Sequence, residues 1–256
     1  MEVYMISNSG HDERGKYSGG QAGDQTGTEW QIIPWYNRPW GVVLRHTDQA
    51  VRKLIAELAR EAAENDKIGY DQGQRTTFWA QLQKVGYRPK NITTKCEADC
   101  SAGVAAIVKA AGYILGNKKL QNVSKDAYTG NLRSVLRAAG FEALTASKYL
   151  TSADYLVVGD ILLYEGHHTA INLDNGKAVT ATVKYDYENI NAWQWDGTGW
   201  WYPYGHNKGE YHVNNAYRID GKLYFFDAQG YCVKNPVIKT DEKGALISIS
   251  GSRVGK

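Results

Sequence analysis

The sequence predicts an α+β protein made of two parts. Helical periodicity dominates residues 47–140, and the apolar residues that follow recur with a period near two, which is typical of strands. Helices first and antiparallel strands second favour an α+β fold over alternating βαβ units. Beyond residue 186 the composition changes to one rich in Trp, Tyr, Gly, Asn and Asp. We therefore expect a main domain over residues 1–186 and a small aromatic β-hairpin module over residues 187–256.

Residues 1–46 are rich in Gly, Ser, Asp and Gln and show little periodicity, which predicts a loop-rich N-terminal arm with one short strand at most. Four runs with helical spacing follow, and a glycine closes each of them. The predicted helices run from residue 47 to Gly69, over 77–85 before Gly86, over 101–111 before Gly112, and over 131–139 before Gly140.

Short strands are predicted after residue 140. The period-two segments cover residues 155–158, 161–164, 168–173 and 177–183. Asp-Asn-Gly at residues 174–176 is a strong hairpin signal between the last two segments.

Composition excludes several classes of protein. The 256 residues contain no apolar run of 18 residues, so no transmembrane helix is expected. The net charge of +3, from 30 basic and 27 acidic residues, is too balanced for a nucleic-acid partner. The first ten residues lack the features of a signal peptide, so we expect synthesis in the cytoplasm without one. Three cysteines do not make a disulfide scaffold, and at least one thiol is expected to be free.

Cys100 is the candidate nucleophile. It follows Asp99 and opens a predicted helix, where the positive end of the helix dipole lowers a thiol pKa. The first N–H groups of that helix, at Cys100 and Ser101, form an oxyanion hole in outline, and the small residues 101–103 would let a substrate carbonyl approach. The alternatives are that Cys100 is a small core residue, or that Cys96 is its disulfide or metal partner.

His168 is the candidate general base, because it begins a predicted strand on which a helical cysteine can pack. Its neighbour His167 should point to the other side of that strand and lie on the surface. A metal reading of His11, Asp12, Glu13 and His46 lacks ligand spacing, so no metal site is predicted.

Three segments in order resemble the NlpC/P60 and bacteriophage amidase superfamily of papain-like peptidoglycan hydrolases. Residues 99–104 (Asp-Cys-Ser-Ala-Gly-Val) resemble its Asp-Cys-Ser-Gly signature, and residues 158–163 (Val-Gly-Asp-Ile-Leu-Leu) its Pro-Gly-Asp strand. Residues 168–171 (His-Thr-Ala-Ile) resemble its His-Val-Gly-Ile strand, and residues 174–176 the turn that follows. The resemblance covers roughly residues 95–183.

The resemblance implies a papain-like domain of the phage endolysin type, with Cys100 as nucleophile and His168 as base. It implies a thioester pathway that cuts an amide of the peptidoglycan stem peptide without a cofactor, after release of the protein from the cell. The amide is that of an N-acetylmuramoyl-L-alanine amidase or of a γ-D-glutamyl endopeptidase. The family's third polar residue falls at Thr180, and the length of the preceding loop decides whether Thr180 and Thr182 share the face of His168.

Two further residues of this domain are assigned to substrate binding, Asp99 and Tyr70. Residues 68–72 resemble stretches found beside this catalytic core in some phage lysins, which would bring Tyr70 to the groove. The alternative for this segment is a helix C-cap.

The C-terminal module resembles choline- and glucan-binding repeats. Residues 217–233 are similar to one repeat unit, and residues 195–202 to a degenerate one. The resemblance implies binding of a wall-linked sugar or choline, since aromatic faces stack on sugars and hold quaternary ammonium groups. The candidate binding residues are Trp200, Trp201, Tyr224 and Phe225. The alternative is a purely structural cap.

The sequence therefore predicts a peptidoglycan hydrolase of the endolysin type. Two other functions stay open: a non-catalytic wall-binding protein, and an acyltransferase or transpeptidase with the same Cys/His pair.

Overall fold

A computed structural model of the protein describes residues 3–180, 188–207 and 209–255. The chain forms two compact units, Met1–Ala181 and Thr182–Lys256. The strands of the first unit are β1 (Met5–Ser9), β2 (Trp30–Pro34), β3 (Val42–His46), β4 (Ile68–Tyr70), β5 (Cys96–Ala98), β6 (Phe141–Leu144), β7 (Ile161–Tyr164) and β8 (His168–Asn172). Its helices are α1 (Gln49–Ala63), α2 (Thr77–Leu82), α3 (Cys100–Ile114), α4 (Lys118–Gln121), α5 (Leu132–Ala138), α6 (Ser147–Leu150) and α7 (Lys177–Thr180). Single turns of 3-10 helix cover Pro89–Asn91 and Ala153–Tyr155.

The centre of the first unit is a six-stranded sheet with the order β2-β1-β8-β7-β3-β6. Each neighbouring pair is antiparallel, whereas β4 and β5 form a separate parallel pair. The helices pack on this antiparallel sheet, so the predicted α+β class is confirmed.

The sheet is covered on both faces. On β3, Val42 and Leu44 join the main core formed with α1 and α3, whereas Val43 joins a second core with Ile6 and Trp40. Alternate residues of each strand therefore point to different layers. This alternation decides which histidine can reach the helix layer.

The N-terminal arm contains three strands, not the single short one that its composition predicts. Strand β1 is mostly polar, but its buried Ser7 hydroxyl donates to Ala59 O of α1 (3.0 Å) and accepts from the Trp30 indole (2.8 Å). Long-range partners thus satisfy polar side chains that composition assigns to a loop. Beside β2, the Asp24 carboxylate accepts backbone N–H groups from residues 26–30, which confirms the turn role of that segment.

Helix α1 begins as predicted, because Asp48 caps it by accepting from Ala50 N at 2.8 Å. It ends at Ala63, well before Gly69, which lies in β4. A Cβ at Gly69 would lie 2.6 Å from the Gly23 backbone, so glycine serves close packing here and not a helix end.

The other three predicted helices are present with shifted ends. Helix α2 ends three residues early, and α5 matches its predicted run within one residue at each end. Helix α3 continues through Gly112 to Ile114, because Gly112 packs against α4, where a Cβ would meet Leu120 at 2.6 Å.

The hairpin predicted at residues 174–176 does not form. Its side chains bind the main unit instead: Asp174 accepts from Met5 N at 2.7 Å and Asn175 from Val158 N at 2.9 Å. Residues 177–180 then form α7 and not a strand, and the rest of that predicted strand lies outside the described residues. The strand predicted over 155–158 is also wrong, because Val157 N is held by the Asp160 carboxylate (2.9 Å).

The second unit contains the strands β9 (Gln194–Trp195), β10 (Trp200–Trp201), β11 (Asn215–Ile219), β12 (Lys222–Phe226), β13 (Cys232–Thr240) and β14 (Leu246–Arg253). Strands β9 and β10 pair with each other, and β11 to β14 form an antiparallel meander. The Asp220-Gly221 pair, both with positive φ, closes the β11–β12 hairpin.

Candidate active site

Cys100 is the first residue of α3, as the sequence predicts. The preceding Asp99 caps the helix, since its Oδ1 accepts from Ala102 N at 2.7 Å and from the Ser101 hydroxyl at 2.8 Å. The close approach of Gly103 to the Trp30 indole, where a Cβ would lie 2.8 Å from the ring, shows that glycine here serves packing. It does not open a path for a substrate carbonyl.

Arg75 holds this helix start in place, a role that no local sequence signal indicates. Its guanidinium pairs with the Asp99 carboxylate and donates to the Ser101 hydroxyl at 3.0 Å. It also donates to the backbone carbonyls of Asp126 (3.2 Å) and Ala127 (2.5 Å). Arg75 therefore fixes the segment that leads into α5 against the cysteine.

A cavity of about 350 Å³ opens at this point. Its lining residues are Gln72, Arg75, Asp99, Cys100, Ser101, Tyr128, Thr129, Gly166 and His167. The predicted nucleophile, the predicted oxyanion residue Ser101 and the predicted substrate-binding Asp99 thus share one cavity.

The surroundings of Cys100 do not lower its pKa, contrary to the sequence-based prediction. The residue is 8% exposed, and burial together with the neighbouring Asp99 carboxylate raises the pKa of the thiol to about 11. The backbone N–H groups of Thr169 and Ser101 and the Arg75 charge act in the opposite direction but do not prevail. Cys100 is therefore a neutral thiol at neutral pH and needs a base to become a nucleophile.

The structure places His167, not His168, in the cavity with Cys100. On β8, Thr169 and Ile171 face the helix layer, and the Thr169 N–H donates a hydrogen bond to the Cys100 sulfur. His168 has the parity of Ala170, which packs in the second core, so it points to the opposite face of the sheet. His168 therefore points away from the helix layer, contrary to the prediction, whereas His167 lies on the surface as predicted and also lines the cavity.

His168 has a structural environment. Its Nε2 bonds the Asn8 Oδ1 at 2.7 Å, and its ring lies 6.1 Å from that of Trp40. Burial and the nearby Arg38 charge lower the pKa of His168 to about 4. The ring is therefore neutral and, because Oδ1 only accepts, it donates from Nε2.

His167 lies in the exposed turn between β7 and β8. Its ring stacks on that of Tyr164 with centroids 4.1 Å apart and planes 21° apart. Gly166, with φ +77°, supplies the left-handed backbone that this turn requires.

Thr180 lies in α7, so the strand register that would align it with His168 does not exist. Its side chain and the whole of Thr182 lie outside the described residues. The third catalytic residue therefore stays a prediction without geometry.

Tyr70 lies in β4, not at a helix C-cap, and is 3% exposed. Its hydroxyl accepts from Gln72 Nε2 at 3.2 Å. Burial, and next the proximity of Cys100, raise the pKa of Tyr70. Tyr70 is not among the residues that line the cavity, although its hydroxyl bonds the lining residue Gln72.

Cys96, Cys100 and Cys232 are free thiols, so Cys96 is not a disulfide partner of Cys100. Cys96 packs in the main core, where burial raises its pKa to about 12. Among residues 3–180, 188–207 and 209–255, no three His, Cys, Asp or Glu side chains are grouped as metal ligands.

In the second unit a separate cavity of about 450 Å³ is lined almost entirely by apolar groups. Its lining residues are Trp193, Trp200, Leu223, Tyr224, Phe225, Cys232, Val233 and Val254. Three predicted binding residues, Trp200, Tyr224 and Phe225, are among them. Trp201 is 1% exposed and packs against Tyr211, so it is a core residue and not a ligand contact.

Fold and cavity together define an α+β domain with a buried cysteine at a helix N-terminus. The chain matches the endolysin-like domain family over residues 6–179. This match covers more than half of the chain, so the chain belongs to that family. Membership indicates an endolysin-type protein with a cell-wall lytic function and peptidoglycan as substrate. The predicted endolysin type is confirmed at this level, and the NlpC/P60 subtype stays a prediction.

No curated protein and no solved structure matches the chain significantly. In the part of the chain that the structure describes, no helix is both long and apolar enough to span a bilayer.

Proposed function

We propose that this protein is a cysteine peptidoglycan hydrolase that cuts an amide bond of the stem peptide, with Cys100 as nucleophile and His167 as general base. The observation that carries the proposal is that both residues line one cavity at the start of α3 in an endolysin-like domain. The raised pKa of Cys100 supports the need for a base beside it.

The reaction proceeds in two steps. The Cys100 sulfur attacks the amide carbonyl while His167 accepts the thiol proton, and that proton passes to the leaving amine as the C–N bond breaks. Water then attacks the thioester, giving its proton to His167, which returns a proton to the departing Cys100 sulfur. The Ser101 N–H, which faces the sulfur, is the oxyanion donor that we assign.

Mass spectrometry of purified peptidoglycan after incubation with the protein tests the reaction class. A new amino end and a new carboxyl end at one amide support hydrolysis and identify the bond. Cross-joined fragments would mean acyl transfer, and wall binding without new fragments would mean a binding protein. Cys100→Ser is the inactive control, and Cys96→Ser should keep most of the activity because Cys96 packs in the core.

The two histidines are distinguished by substitution. We expect His167→Ala to lower kcat by about 10²- to 10⁴-fold, the usual contribution of a general base, without changing the free energy of unfolding much. His168→Ala removes a buried hydrogen bond to Asn8 and should mainly lower stability. A His167→Ala enzyme with full kcat, beside a folded but dead His168→Ala enzyme, would restore His168 as the base.

For the second unit we propose wall binding through the aromatic cavity. Its walls are aromatic and apolar, and they suit the apolar face of a sugar ring or a quaternary ammonium group. Trp200→Ala should weaken sedimentation with intact walls, whereas soluble muropeptides should be cut at an unchanged rate. Competition by free choline would identify an ammonium ligand, and unchanged sedimentation would leave the cavity without a role in binding.

A further inference from the structure

A second cavity, of about 470 Å³, lies beside the candidate active site. Its lining residues are Gly130, Arg133, Ser134, Arg137 and Glu165. Among the lining residues, 129 and 166 line the active-site cavity, and their chain neighbours 130 and 165 line this one. Because consecutive Cα atoms are about 3.8 Å apart, the two cavities lie next to each other at residues 129–130 and at residues 165–166. A peptide bound at Cys100 would therefore lie next to the second cavity.

The second cavity carries an unbalanced positive charge. Arg133 and Arg137 lie one turn apart on α5 and thus share a face. Glu165 pairs with Arg133 at 3.4 Å, in a partly exposed ion pair. Within the described part of the chain no side chain pairs with the Arg137 guanidinium, which is exposed at the cavity wall.

We infer that this cavity is a substrate subsite in which Arg137 binds a free carboxylate of the stem peptide, next to the amide that Cys100 attacks. A guanidinium presents a planar pair of donors that matches a carboxylate, and charge-assisted bonds of this kind are the stronger ones. The Ser134 hydroxyl at the same wall adds a neutral hydrogen-bonding group. The inference rests on the proposed hydrolase function and specifies which substrate it prefers.

Steady-state kinetics on two soluble muropeptides test the inference. The two differ in one group only, a stem-peptide carboxylate that is free in one and amidated in the other. We expect Arg137→Gln to raise KM about tenfold for the free carboxylate and to leave kcat and the amidated substrate unchanged. Arg137→Lys should fall between wild type and Arg137→Gln, because it keeps the charge and loses the paired donors.

Two further variants sharpen this experiment. Lys118→Gln removes one positive charge at an exposed position of α4 and should change neither substrate. Glu165→Gln removes the partner of Arg133 and should lower KM for the free carboxylate. Equal effects of Arg137→Gln on both substrates, or no effect on either, would overturn the subsite.

Calorimetry with the Cys100→Ser protein separates the inference from the proposed function. If the wild-type protein cuts neither muropeptide, the hydrolase proposal fails. The subsite still requires tighter binding of the free carboxylate than of the amide, a preference that Arg137→Gln abolishes and added salt weakens. Binding without that preference would overturn the subsite, whether or not the wild-type protein cuts either muropeptide.

Discussion

The Cys100 thiol shows how one residue's position and its environment have opposite electrostatic effects. The helix start stabilises a thiolate, but burial and the Asp99 carboxylate destabilise it more, and they raise the pKa to about 11. We expect the alkylation rate of Cys100 to rise about tenfold per pH unit from pH 7 to 9, without a plateau. Iodoacetamide labelling with mass spectrometry measures it, and a rate already constant above pH 7 would show a depressed pKa instead.

At the same scale, the burial of Glu97 predicts that the stability of the folded protein depends on pH. It is 1% exposed on β5, and burial followed by the nearby Glu29, Asp71 and Glu13 carboxylates raises its pKa from 4.5 to about 7. The folded state therefore keeps a proton that the unfolded state releases. The stabilisation of the folded state by this proton is complete below pH 4.5 and is lost as the pH rises through 7.

Glu97→Gln removes that dependence and keeps an acceptor for Gly23 N. The unfolding free energy of the variant minus that of the wild type should increase by about 1–3 kcal/mol from pH 5 to pH 8. Urea unfolding followed by Trp fluorescence at both pH values gives the difference, in which the other titrating groups cancel. A difference that is the same at pH 5 and pH 8 contradicts the assignment.

At the scale of elements, the Gly-Asp pair before β7 joins the sheet to α1. Asp160 is buried and accepts twice from Arg45, with Nη2 2.6 Å away. Gly159 has φ +80°, and a Cβ there would lie 2.1 Å from the backbone oxygen of Arg52 in α1. This Gly-Asp motif thus has a packing role here.

We expect Gly159→Ala to lower the free energy of unfolding by about 3 kcal/mol or more, because a positive φ and a backbone clash coincide. The control is Gly166→Ala, which has φ +77° and no atom within 4 Å of the added Cβ. It should cost only about 1 kcal/mol. Equal losses in chemical denaturation would show that the contact with α1 is unimportant.

An element could be predicted when the residues that determine it lie close together in the sequence. The apolar spacing of α1 and α3 and the run of β7 are local, and these elements form at the predicted places, although α1 ends earlier and α3 later than predicted. Strand β1 could not be predicted, because its buried polar groups depend on partners such as Ala59, 52 residues away. Arg75 is informative only once its partners 24 to 52 residues away are known.

The candidate site was predictable to the same extent. The Asp-Cys pair at a helix start is a local signal, and the cysteine that it points to lines the candidate cavity. Which of two adjacent histidines faces the thiol depends on the register of β8 against β7 and β1, which the local sequence does not contain. A one-residue difference in register exchanges the two faces.

At the scale of the whole molecule, the separate cores of the two units predict separable functions. The candidate catalytic cavity is lined only by residues of the first unit, and the aromatic cavity only by residues of the second. A protein of residues 1–186 should therefore fold, with the circular dichroism of a helix-containing domain, and cut soluble muropeptides at a rate within about threefold of the full chain. It should sediment poorly with intact walls, because the proposed wall contacts are removed. A truncated enzyme that folds and sediments as well as the full chain would assign wall binding to the first unit and leave the aromatic residues as the core of a cap.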